Sequence, residues 1–130
     1  MTTSASGQDV EELVRFAVDA AFHVRRSLGP GLLEHVYEEC TALELEERRI
    51  SFKRRHPLAT KPKNQTIENA FRVDLLIGGC LNFELRAVKA VLPVRRAQVL
   101  TYLRLSGIRL GFLINFNVPV IKAGIQRLAL

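Results

Sequence analysis

Two alternating runs, Phe71 to Ile77 and Leu81 to Val88, flank Gly78-Gly79-Cys80, and the length of that connection decides which side chains share a face of the resulting hairpin. A two-residue Gly-Gly turn would set Asp74 opposite Phe83 and mix polar with apolar residues on both faces. A three-residue connection, or an equivalent bulge, pairs Ile77 with Leu81, Leu75 with Phe83 and Val73 with Leu85, which makes one face wholly apolar. The odd connection is therefore expected. It places Asp74 opposite Glu84 and Arg72 opposite Arg86 on the other face.

Upstream, Val10, Leu13, Val14, Ala17, Ala20, Ala21, Val24 and Leu28 recur at helical spacing and predict one amphipathic helix from about Asp9 to Leu28, stopped by Gly29-Pro30-Gly31. A second helix is expected from about Leu32 to Arg48, with Leu33, Val36, Cys40 and Leu43 on its apolar face. A strand follows from Ile50 to about Leu58, where Pro57 marks an edge or an end, and Lys61 to Gln65 reads as a loop. After the hairpin, a helix from about Val94 to Leu105 offers Val99, Leu100, Leu103 and Tyr102 to the sheet and ends at Ser106-Gly107. Arg109 to Asn115 is apolar enough for a strand buried on both faces, and Val118 to Leu130 reads as a turn with a short strand or helix. The order predicts a single α/β domain over residues 1–130, a mixed central sheet flanked by helices.

At 48% hydrophobic the chain has matter for a core, yet no apolar stretch approaches the roughly 18 residues that span a bilayer. The polar, acidic opening MTTSASGQDVEE lacks the basic and then apolar pattern of a secretory signal, so a cytoplasmic protein with no membrane partner is expected. Cys40 and Cys80 lack metal-ligand spacing and read as buried thiols. His23, His35 and His56 share no motif spacing, and neither a GxSxG elbow nor a phosphate-cradling glycine loop is present.

Charge is divided along the chain. Residues 1–47 carry ten acids and three bases, a net of −7, whereas residues 48–130 carry sixteen bases and three acids, a net of +13. A basic segment of that density attracts polyanions, because each neutralised phosphate releases counterions. DNA or RNA is the first partner to consider, with Arg54, Arg55, Arg72, Arg95 and Arg96 as candidate backbone contacts. The plainer reading is a solvated strand edge that offsets the acidic helices. The same division also allows a homodimer, acidic helices of one copy against the basic edge of another.

Only three acids follow residue 47: Glu68, Asp74 and Glu84. Directly opposed residues of an antiparallel pair have Cβ atoms roughly 4.5 to 5.5 Å apart, so Asp74 and Glu84 would bring two anions into one small space. Mg²⁺ or Mn²⁺ would resolve the conflict, since a hard cation takes one or two carboxylates plus water and phosphate oxygens. The alternative is an ion-pair lattice with Arg72 and Arg86. An arginine head filling the gap would collapse the hydrolytic reading and leave only polyanion affinity.

Gly29-Pro30-Gly31-Leu32-Leu33-Glu34-His35-Val36-Tyr37-Glu38-Glu39-Cys40 resembles the signature of the small bacterial GxxExxY proteins, with Gly31, Glu34 and Tyr37 at the named positions. The resemblance continues through Phe71 to Leu76, Phe83 to Val88, Ala97 to Leu103 and Leu113 to Pro119, so it covers nearly the whole chain. That family falls within the PD-(D/E)XK nuclease superfamily, which implies a restriction-endonuclease-like core and metal-dependent phosphodiester cleavage. The resemblance assigns Asp74 and Glu84 as metal ligands, brings Glu34 toward the same ion, and matches Gln98 and Tyr102 to a supporting Q-x-x-x-Y element on one helix face. Glu34 has a plainer alternative as a helix-capping residue near the third helical position, with Gly31 near the N-cap. Tyr102 could equally be core and Gln98 surface.

One departure bears on catalysis. Arg86 stands where the superfamily has lysine; it keeps the charge needed to stabilise an attacked phosphate, but its head is larger, planar and permanently protonated. Lys89 could substitute only if the strand bulged or ended before it. The expectation is a metal-dependent nuclease-like protein, with a catalytically weak or inactive nucleic-acid-binding or interaction module as the alternative.

Overall fold

The computed structural model describes residues 7–60 and 67–130. Helix α1 (Gly7–Leu28) and helix α2 (Glu34–Glu47) precede strands β1 (Phe52–Thr60), β2 (Ile67–Ile77) and β3 (Leu81–Arg86); helix α3 (Pro93–Ser106), β4 (Leu110–Asn115), a short 3-10 turn (Ile121–Gly124) and β5 (Ile125–Ala129) complete the chain. The loop expected at 61–65 lies outside the described residues. One sheet runs β1-β2-β3-β4-β5. Every neighbouring pair is antiparallel except β3 and β4, whose parallel alignment is made by the crossover through α3. This is the mixed α/β architecture expected, consistent with a restriction-endonuclease-like core.

The sheet separates two apolar clusters. Val14, Ala17, Ala20, Ala21 and Val24 of α1 pack with Leu75, Ile77, Leu81, Phe83, Leu85, Phe112 and Ile114, the small residues of α1 letting the helix approach closely. On the other face Val99, Tyr102 and Leu103 of α3 pack with Val73, Leu76, Leu113 and Leu128. The hairpin turns through three residues, with Gly78 and Gly79 at φ 60° and 70°, and pairs Ile77 with Leu81 and Leu75 with Phe83. Pro57 lies on the edge strand β1, opposite Arg72, where a residue without an N–H is tolerated.

Three sequence expectations need correction. The inward face of α2 carries Tyr37, Glu38, Thr41, Ala42 and Leu45, while Leu33 is 69% and Leu43 58% exposed. Polar contacts rotate the helix: the Tyr37 hydroxyl binds the preceding turn and Glu38 takes arginine partners, so hydrophobicity alone selected the wrong stripe. Second, α2 begins at Glu34 with Leu33 as N-cap, so Glu34 is the first helical residue and not the third. Third, the hairpin ladder ends at Leu75 and Phe83, and Val73 joins the α3-side cluster instead of sharing a face with Leu75 and Ile77. Cys40 and Cys80 are free and only half-buried.

Candidate active site

The site lies where β2 leaves β3. Beyond Phe83 the Leu85 N–H donates to Asp74 Oδ2 at 2.8 Å, so a side chain takes up a strand N–H beyond the last ladder pair. β3 stays on β4 through Arg86, which pairs with Asn115, and the Phe116 N–H continues to the Arg86 carbonyl at 2.8 Å. The Asn115 amide then clasps the chain past the strand end: Nδ2 donates to the Val88 carbonyl at 2.9 Å and Oδ1 accepts from the Val88 N–H at 3.0 Å. These bonds fix the backbone that carries Glu84 and Arg86.

Glu34 arrives from the start of α2, anchored by Tyr37. The Tyr37 hydroxyl donates to the Gly29 carbonyl at 2.6 Å and accepts from the Leu32 N–H at 3.2 Å. The Gly-Pro-Gly turn is thus tied down one helical turn from Glu34.

Arg86 occupies the middle of the arrangement. Its Nη2 binds Glu84 Oε2 at 2.5 Å; its Nη1 donates to the Leu85 carbonyl at 2.9 Å and stands 3.7 Å from both Asp74 Oδ2 and Glu34 Oε2. The two strand acids do meet in one place, as the hairpin register implied, and an arginine head lies between them. The ion-pair alternative holds for Arg86, and with its guanidinium in that seat the condition set against hydrolysis is met: the two acids are closed to a catalytic ion unless Arg86 leaves. Arg72 is exposed and has no ion pair among the described residues.

One guanidinium does not neutralise this neighbourhood. Burial, and then the Asp74 charge, push the Glu84 carboxyl up to about 7 despite Arg86. Burial also raises Asp74, opposed by the Leu85 N–H and Arg86 and reinforced by Glu38 and Glu34. Glu38 is the residue that sequence reasoning missed: it is 6% exposed and its Oε2 takes Arg54 Nη2 at 3.0 Å and Arg55 Nε at 3.3 Å. Its spacing of four from Glu34 was the available signal, since both then share a helix face.

Two cavities border Arg86. One of about 300 Å³ is walled by Arg72, Asn82, Glu84, Gln98 and Tyr102, and one of about 340 Å³ by Glu34, Val88, Val91 and Leu92; Arg86 and Arg95 line both. Gln98 and Tyr102 therefore share a cavity with Glu84, but the Gln98 amide oxygen accepts from Arg95 at 3.2 Å and Tyr102 belongs to the α3-side core. Burial raises the Tyr102 hydroxyl above its ordinary value. Asn82, 1% exposed on the cavity floor, leaves Oδ1 buried without a hydrogen-bond partner.

The other candidate phosphate contacts are placed unequally. Arg54 binds Glu38 and Glu39, Arg55 binds Glu38, and Arg96 reaches the Gln126 amide at 3.1 Å. Arg95 and Arg72 face the cavity beside Glu84. β3 ends at Arg86, so the strand does stop before Lys89, which is exposed and lines neither cavity. Much of the acidic half is met within the chain: besides these pairs, Arg48 binds Asp19 and Glu44, and Arg127 binds Glu11.

The donor chemistry at the strand ends suits a hard divalent ion: Asp74, Glu84 and the Leu85 carbonyl offer oxygen donors, and Mg²⁺ needs no more than two carboxylates. Among the described residues no three acidic, histidine or cysteine side chains form a ready ligand cage as they stand. Arg86 sits on the oxygens such an ion would use.

Fold and site together define a nuclease-like α/β domain, with acids from two diverging strands beside a cationic cavity. A family model of the PD-(D/E)XK nuclease superfamily matches residues 11–128, and the chain belongs to that superfamily. No curated protein and no solved structure matches it. Members of the superfamily generally use divalent metal ions. Among the described residues no helix is long and apolar enough to cross a membrane.

Proposed function

We propose that this chain is a GxxExxY-type nuclease that cleaves phosphodiester bonds of DNA or RNA with Mg²⁺ or Mn²⁺. The observation that carries the reading is the formal charge excess at the strand ends: two carboxylates, Asp74 and Glu84, share one guanidinium. Negative charge beyond what Arg86 offsets is what a divalent ion would take up.

Asp74, Glu84 and the Leu85 carbonyl would hold the ion, with Glu34 at its margin. When bound, it would polarise the scissile phosphate and lower the pKa of an attacking water. Arg86, freed from the acids, would meet the charge that develops on the phosphate. Arg72 and Arg95 stand beside the same cavity and would hold the strand through its backbone, while Gln98 and Tyr102 wall it. The test is cleavage of duplex, single-stranded and branched DNA and of RNA with each metal, by wild type and Asp74→Asn. Metal-dependent cleavage lost in Asp74→Asn is expected; intact substrates throughout, or equal cleavage by both proteins, overturn the reading.

A second reading is a nuclease-fold protein that binds nucleic acid without cutting it, favoured by the seat of Arg86 on Glu84 and the Leu85 carbonyl. It predicts salt-sensitive binding that survives Asp74→Asn and calorimetry without metal heat.

A further inference from the structure

Arg86 is held by acceptors from three elements: the Glu34 carboxylate of α2, the Asp74 carboxylate of β2, and the Glu84 carboxylate and Leu85 carbonyl of β3. Three of these, Asp74, Glu84 and the Leu85 carbonyl, are also the oxygens a divalent ion would take. The guanidinium and the ion therefore compete for one seat. A divalent ion brings two charges where the guanidinium brings one, but arginine's planar fork already fills several acceptors and pays no dehydration of a bare ion.

The surroundings show what could draw the guanidinium away. Arg86 forms a wall of both cavities, so it has open volume on either side. Arg95 lines both cavities and Arg72 the one beside Glu84, and the Arg95 guanidinium has only the neutral Gln98 amide as a hydrogen-bond partner among the described residues. A phosphodiester entering there meets cations with few competing anions. It is also an acceptor of the geometry that a guanidinium binds with two parallel hydrogen bonds.

We infer that Arg86 is a substrate-operated latch: a nucleic-acid phosphate takes Arg86 off Asp74 and Glu84, and the vacated carboxylates then admit the divalent ion. This rests on the nuclease reading above and adds its regulation. Without substrate the arginine is the resident cation and holds metal affinity down; with substrate the same residue becomes the phosphate contact. Linkage makes the effect reciprocal, so metal tightens nucleic-acid binding by the factor by which nucleic acid tightens metal binding.

The test measures Mn²⁺ binding by calorimetry and by loss of the free-ion paramagnetic resonance signal, with and without a short phosphorothioate oligonucleotide, so no turnover is needed. Wild type should bind Mn²⁺ about tenfold more tightly with the oligonucleotide, within the usual range of coupling between sites. Arg86→Gln should bind Mn²⁺ tightly without oligonucleotide and lose the enhancement. Asp74→Asn should bind no Mn²⁺ alone and, with the oligonucleotide, only what the oligonucleotide takes up without protein, which separates the site from ions gathered by the oligonucleotide itself. If wild type binds Mn²⁺ equally in both states and Arg86→Gln matches it, the latch is overturned while the metal reading stands. If no protein binds Mn²⁺ under any condition, the metal reading fails and the latch with it. Should Arg86→Gln fail to melt cooperatively, Arg86→Lys carries the comparison: its compact ammonium cannot bridge the same acceptors, so Mn²⁺ affinity without oligonucleotide should rise, and wild-type affinity there overturns the latch.

Discussion

The ring of Tyr37 lies on that of Phe116, centroids 4.5 Å apart and planes 8° from parallel, while its hydroxyl holds both Gly29 and Leu32. One side chain thus joins the start of α2, the turn before it and the segment after β4. Tyr37→Phe keeps the stack and removes both hydrogen bonds, at about 1 to 2 kcal/mol. Tyr37→Ala removes the stack too and should cost roughly 3 to 5 kcal/mol. Urea denaturation of the two variants checks the order, and equal losses would show that the hydroxyl carries the whole effect.

Stability should depend on pH through Glu84. Its folded value, about 7, lies above the ordinary glutamate value of 4.5, so the folded state keeps a proton that the unfolded chain releases. The resulting penalty is absent well below the unfolded value, grows as pH rises through the interval, and is complete above the folded value. Glu84→Gln removes it. The variant should lie within about 1 kcal/mol of wild type at about pH 5 and exceed it at about pH 8 by no more than roughly 3 kcal/mol. Parallel melting curves across that range would show that Glu84 is ionised throughout.

Nucleic-acid affinity should follow placement more than count. Arg72→Ala and Arg95→Ala should each lower the slope of log affinity against log salt by about one. Arg54→Ala should leave the slope unchanged, because its guanidinium is bound to Glu38 and Glu39, and should instead lower stability by leaving the buried Glu38 with Arg55 as its one remaining arginine partner. Salt titrations of binding by fluorescence anisotropy distinguish the two behaviours.

Asn82 sets stability against the site. Its orphaned Oδ1 carries a desolvation cost on the cavity floor, so Asn82→Leu should stabilise the fold by about 1 kcal/mol and weaken oligonucleotide binding. A stabilised variant with unchanged binding would remove Asn82 from the cavity's function.

The hairpin was the most legible part of the chain because alternation and connection length act together: three residues at Gly78 to Cys80 fix the partners of Ile77 and Leu75. From that register the meeting of Asp74 and Glu84 followed. Two things escaped. The apolar stripe of α2 misled because its inward face is set by a tyrosine hydroxyl and a buried glutamate, which hydrophobic spacing counts as polar. The pair Val73 and Leu85 failed because the strands part there and Asp74 takes up the Leu85 N–H, a release no period-two pattern encodes.

The edge strand has a wider consequence. On β1, Arg55 adopts a left-handed backbone at φ 50° and Pro57 follows two residues later without an N–H. The left-handed residue and the proline kink and stiffen that margin, which disfavours pairing with a strand of another molecule. Such a margin can carry Arg54 and Arg55 without offering a flat template for fibres.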